Sequence, residues 1–150
     1  MPQTLSFNLV HIIFSTKNRA PLIANGMIPT LHAYLAGTAR KLDCECFRVG
    51  GVADHVHIAL FIARTESVSK VVERLKVSSS KWIKTKGPEF AKFEWQRGYA
   101  AFSVGLSDRL ALVRYIDAQA THHQRRDFQA EMRAMFAKYG VGFDERCVWS

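Results

Sequence analysis

Gly50-Gly51-Val52-Ala53-Asp54-His55-Val56-His57-Ile58-Ala59-Leu60-Phe61-Ile62 is the stretch on which the reading of this chain turns. Its alternation predicts a β-strand, with the two glycines supplying the turn that leads into it. Val56, Ile58, Leu60 and Ile62 fall on one face, and His55, His57, Ala59 and Phe61 on the other. Side chains two apart on a strand point the same way, so both imidazoles can reach one metal ion. The competing reading is a pair of histidines bound only to their protein neighbours.

Upstream, Leu5 to Phe14 is an apolar run interrupted by Asn8 and His11, and it predicts an inner strand. Met27, Ile28, Leu31, Leu35, Ala39 and Leu42 then recur at helical spacing. Cys44 to Val49 reads as a second strand, paired as a hairpin with the His-Val-His strand. Downstream, Ser67 is placed to cap a helix whose Val68, Val71, Val72, Leu75, Trp82 and Ile83 share one side. Gly87-Pro88 ends that helix, and Phe93 to Val104 predicts a fourth strand loosened at Gly98. A long helix follows from Ser107 or Asp108 to about Arg125, then a second from Asp127, and Phe143 and Trp149 predict a docked tail.

The order β-α-β-β-α-β defines an α+β, ferredoxin-like sandwich: an antiparallel four-stranded sheet with two helices on one face, plus a C-terminal helical extension. In its usual strand order, 4-1-3-2, the His-Val-His strand is central. At 150 residues the chain has the length of one domain, spanning 1–150. No apolar window is long enough to cross a membrane, and no signal peptide is evident, so a cytoplasmic protein is expected. Three cysteines, Cys44, Cys46 and Cys147, fit a reducing compartment better than a disulfide framework.

The formal charge of +8, with a pI near 9.7, biases the chain toward polyanions. Lys70, Arg74, Lys81 and Lys84 gather on a helical stripe apart from the apolar side. With Lys17, Arg19 and Arg97 they are candidate nucleic-acid contacts, against the plain alternative of a solvated face.

In the late helix Leu112, Val113, Ile116 and Ala120 form the apolar stripe, while Arg114, Asp117, Thr121 and Arg125 face water. Tyr115 and Gln119 lie four apart on a flank of that stripe, about 5–6 Å apart at Cβ. Burying the stripe against the sheet would carry the phenol and the amide toward His55 and His57.

His55-Val56-His57 matches the His-hydrophobe-His (HUH) signature of single-strand DNA nucleases and transposases. The run from Val49 to His57, with Tyr115-Ile116-Asp117-Ala118-Gln119 and His122-His123, resembles the insertion-sequence-200 type of single-tyrosine transposase. Phe14 to Arg19, Ser79 to Trp82 and Trp95 to Tyr99 fit as well, so the likeness covers nearly the whole chain. The resemblance implies that His55, His57 and Gln119 hold a divalent metal, Mg2+ or Mn2+, and that Tyr115 is the nucleophile. It implies cleavage and rejoining of single-stranded DNA with subterminal hairpins at insertion-sequence ends, through a 5′-phosphotyrosine intermediate. It also implies a homodimer, with no membrane partner and no nucleotide cofactor. His122 and His123 are then local polar contacts or phosphate neighbours.

The alternative from a different class is a non-catalytic, RRM-like module that binds single-stranded nucleic acid. Cys44 to Val49 lacks the aromatic-rich strand such a module stacks bases on. A two-histidine phosphodiesterase would need two separate His-x-Thr/Ser repeats, and a zinc regulator would need better ligand spacing than the cysteines and His122-His123 offer.

Overall fold

The computed structural model describes residues 1–122 and 126–150, apart from the side chain of His122. Among them, β1 (Asn8–Ser15), β2 (Glu45–Val52), β3 (His55–Ile62) and β4 (Ala100–Ser103) form one antiparallel sheet in the order β2-β3-β1-β4. Helices α1 (Ile28–Lys41) and α2 (Val68–Lys84) follow β1 and β3. The C-terminal part holds α3 (Arg109–Asp117), the single turn α4 (Gln119–His122) and α5 (Phe128–Tyr139). This is the expected ferredoxin-like plan, with the His-Val-His strand between two neighbours.

The alternation read along β3 divides the molecule. Val56, Ile58, Leu60 and Ile62 join Leu31, Leu35, Val71, Val72, Leu75 and Ile83 in the core beneath α1 and α2. On the opposite face Leu9 and Ala59 pack with Leu112 and Ile116 of α3, and Ile13 packs with Phe128, Met132 and Phe136 of α5. The C-terminal extension therefore makes a third layer on the histidine face. Ser67 caps α2 by accepting from the Lys70 amide, and Asp127 caps α5 through the Ala130 amide.

Several boundaries differ from expectation. β1 begins at Asn8, because its partner β3 ends at Ile62 opposite it, and Leu5 and Phe7 remain exposed. Gly50 and Gly51 lie inside β2, paired with His57 and Val56, and the turn is at Ala53-Asp54. Gly50 is required by the layer above: a Cβ there would stand 2.5 Å from Ile116 Cγ2 and 2.7 Å from the Ile116 carbonyl. The fourth strand shrinks to Ala100–Ser103, since Phe93 and Trp95 are drawn into the α1–α2 core and Gly98 turns the chain at φ 77°. The long helix is interrupted at Ala118, so Ala120 is exposed and Gln119 is buried. The expected helix end at Arg125, like His123, lies outside the described residues. No helix among the described residues is long and apolar enough to cross a membrane.

Candidate metal and tyrosine site

Three neighbouring positions on the C-terminal face of the sheet carry imidazoles. His11 comes from β1, and His55 and His57 from β3, all buried. His55 Nδ1 lies 2.6 Å from Asp54 Oδ1, and its Nε2 lies 3.1 Å from Gln119 Oε1. His57 Nδ1 lies 2.8 Å from His11 Nε2, and its Nε2 lies 3.0 Å from Glu131 Oε1. Each β3 imidazole thus has its Nδ1 held by an outer partner and its Nε2 aimed at the same spot. That is how ligating histidines are oriented.

Glu131, on the inner side of α5 and 4% exposed, closes the arrangement. Its Oε2 accepts the Tyr115 hydroxyl at 2.6 Å and the Gln119 side-chain N–H at 3.0 Å. Ligand atoms of His55, His57 and Glu131 lie within 4.8 Å of one another. Two imidazoles, one carboxylate and the amide oxygen of Gln119 are a donor set suited to a divalent ion of intermediate hardness, so these residues fit the expected metal.

The surroundings set the charges. Burial, reinforced by His57 and opposed by Glu131, lowers the His11 pKa to about 3. His11 is therefore neutral at pH 7 and can accept from a His57 Nδ1–H, a tautomer that turns the His57 Nε2 lone pair toward the Glu131 side. Burial first, then the Glu131 hydrogen bond, pushes the Tyr115 pKa well above its ordinary value. The phenol is thus fully protonated at neutral pH and needs an acceptor. A cavity of about 580 Å3, lined by Tyr115, His11, Glu131, Arg126, Lys138 and Tyr139, opens beside it.

The residues expected from the sequence meet here: His55, His57, Tyr115 and Gln119 form one cluster within a single chain. Two members were not expected. His11 was visible only as a polar interruption of the first strand, although its parity places it on the histidine face. Glu131 lies in a helix whose sequence reads as an apolar stripe, and only folding brings it under Tyr115.

A family model described as "Transposase IS200 like" matches residues 6–119. The chain belongs to this family. That stretch contains His55, His57, Tyr115 and Gln119, and it stops short of Glu131. No curated protein matches. Among solved structures, a proposed transposase of Deinococcus radiodurans R1 superposes with a TM-score of 0.60 at 21% identity, covering 78% of this chain and 95% of that one. A REP-associated tyrosine transposase, solved bound to a REP hairpin, superposes with a TM-score of 0.61 at 14% identity, covering 81% and 71%. At these identities the likeness bears on the fold alone.

The basic residues scatter. Lys17 pairs with Glu94 at 3.0 Å, and the Arg19 guanidinium donates to the Trp149 carbonyl at 2.8 Å. Lys70 and Arg74 are exposed on α2, whereas Lys81, Lys84 and Arg97 line one groove between α2 and residues 95–99. Against the RRM-like alternative, α3 and α5 cover the sheet face that would otherwise present its surface to bases.

Proposed function

We propose that this IS200-like transposase cleaves and rejoins single-stranded DNA through a covalent 5′-phosphotyrosine on Tyr115. The observation that carries the reading is a shared carboxylate: Glu131 holds the Tyr115 hydroxyl on one oxygen and faces the paired imidazoles with the other.

Tyr115 Oη attacks the scissile phosphorus as its proton passes to Glu131 Oε2, the acceptor already in contact with it. The phosphorus–O3′ bond breaks, and the proton that Glu131 took from the phenol passes, directly or through water, to the departing 3′ oxygen to give the free hydroxyl. The phosphotyrosyl ester keeps the diester's bond energy, so a strand 3′-OH can reverse the step and join new ends without a nucleotide cofactor. His55, His57, Glu131 and Gln119 are the residues that would hold Mg2+ or Mn2+, with Asp54 and His11 orienting the two imidazoles. Bound there, the ion would neutralise a non-bridging phosphate oxygen and favour in-line attack.

Hairpin-bearing DNA is the substrate class, a reading supported by the resemblance and by the hairpin bound to the REP-associated neighbour. A homodimer remains part of the reading, as the assembly that brings two DNA ends together. One chain already carries the full set of reacting groups. The test is incubation of hairpin-bearing single strands with the protein and Mn2+ or Mg2+. A denaturation-resistant adduct, mapped to Tyr115 by peptide mass analysis, is expected. Intact DNA under all these conditions would sink the reading.

A further inference from the structure

A second basic site lies away from Tyr115. Between α2 and residues 95–99 runs a groove of about 570 Å3 whose lining includes Lys76, Lys81 and Lys84 from the helix and Arg97 and Tyr99 from the facing segment. Glu73 is its one acidic lining residue. Lys81, Lys84 and Arg97 are exposed, and Tyr99 is 43% exposed.

The groove is built rather than incidental. Trp95 Nε1 donates to Ser79 Oγ at 3.0 Å, and the Lys76 ammonium donates to the Gln96 and Gly98 carbonyls. These bonds clamp residues 95–98 against α2 and hold Arg97 and Tyr99 opposite Lys81 and Lys84. Lys76, half-buried beneath the segment over the Phe14 ring, is committed to this clamp. Burial lowers its pKa to about 8, which still leaves it charged at pH 7. The three outer cations are left to face a ligand, and an aromatic ring stands beside them.

Resting on the DNA-processing reading above, we propose that this groove is a second nucleic-acid subsite that grips an unpaired stretch of strand, with phosphates on Lys81, Lys84 and Arg97 and a base stacked on Tyr99. Cations alone would accept any polyanion. The adjacent aromatic selects a strand whose base faces are free, which a duplex stem does not offer.

The test measures binding of a fluorescent oligo-dT single strand in chelator, where no cleavage occurs, across a salt series. Lys81→Ala, Lys84→Ala and Arg97→Ala, combined, should weaken binding by about tenfold or more and flatten the log–log salt slope by about 0.7 per lost phosphate contact. Arg40→Ala with Lys41→Ala, exposed at the end of α1 and outside the groove lining, should leave both within about twofold. Tyr99→Leu should weaken oligo-dT by at least about fivefold, yet leave inorganic polyphosphate binding unchanged. Equal losses from the Arg40/Lys41 pair, or groove variants that bind as wild type, would overturn the subsite. The Tyr115 adduct assay separates the two claims: adduct formation with an inert groove removes only the subsite, and absence of both removes the transposase reading as well.

Discussion

The Tyr115 hydroxyl donates to Glu131 Oε2 at 2.6 Å, across the gap between α3 and α5. A phenol whose pKa is driven up by burial is thereby joined to a carboxylate that also faces His57. This one contact ties the proposed nucleophile to the proposed metal ligands.

Tyr115→Phe should abolish the covalent adduct while leaving hairpin binding within about twofold. It should also cost about 1–2 kcal/mol of stability, because a buried carboxylate oxygen loses a donor. Adduct yield and urea midpoints on the same samples check both parts. An adduct persisting in Tyr115→Phe would remove the residue from its role.

Glu131→Gln preserves size and one oxygen but removes the negative charge. Mn2+ affinity, measured by calorimetry, should fall by about tenfold or more, and adduct formation should fall further because the phenol loses its proton acceptor. A variant with wild-type metal affinity would show that His55, His57 and Gln119 suffice as ligands.

Divalent metal should stabilise the fold, since the four donor groups converge only when α3 and α5 are docked. At a hundredfold excess over the dissociation constant the gain is about 2.7 kcal/mol. A melting-temperature rise with Mn2+, absent in His57→Ala, is the expected result. His57→Ala should also abolish adduct formation with either metal.

Gly50→Ala tests how α3 is seated. The added methyl would meet Ile116 Cγ2 and the Ile116 carbonyl, and the backbone atom has no cheap way to yield. A loss of about 1–3 kcal/mol is expected, together with a fall in adduct yield as the neighbouring Tyr115 shifts. Wild-type behaviour in both assays would mean that the close approach of β2 and α3 is not needed.

His32 on α1 gives a pH signature independent of the site. Its Nε2 is buried with no hydrogen-bond partner among the described residues, and burial lowers its pKa to about 4. Below the ordinary histidine value of 6.5 the unfolded chain takes up a proton that the native state refuses. Stability therefore falls as pH drops from 6.5 toward 4, by about 2 kcal/mol after allowing for partial solvent contact. His32→Leu should shrink the melting-temperature difference between pH 7 and pH 4.5, while a variant that kept the full difference would place the acid sensitivity elsewhere.

Much of this protein was legible along the chain because its signals are local. Period-two alternation assigned His55 and His57 to one face of β3, and that face is where the site lies. The cap at Ser67 and the helix start at Asp127 were readable because such signals need only the helix's own first turn. Helical spacing placed Tyr115 and Gln119 on the flank of an apolar stripe. It could not show the interruption at Ala118, after which Gln119 turns fully inward to 1% exposure.

What only the tertiary structure decided is the company these residues keep. Glu131 is 74 positions from His57, and His11 is 46 positions from it on the other side. No periodicity links such distances; docking of α5 and pairing of β1 with β3 do. Gly50 and Gly51 carry the same lesson: the pair reads as a turn until Ile116 of α3 is seen above Gly50 and the β3 backbone at His55 and Val56 beside Gly51. Local hydrogen bonding and side-chain direction are written into short stretches of sequence. The meeting of distant polar groups depends on burying apolar faces together, and that is settled only when the whole chain has packed.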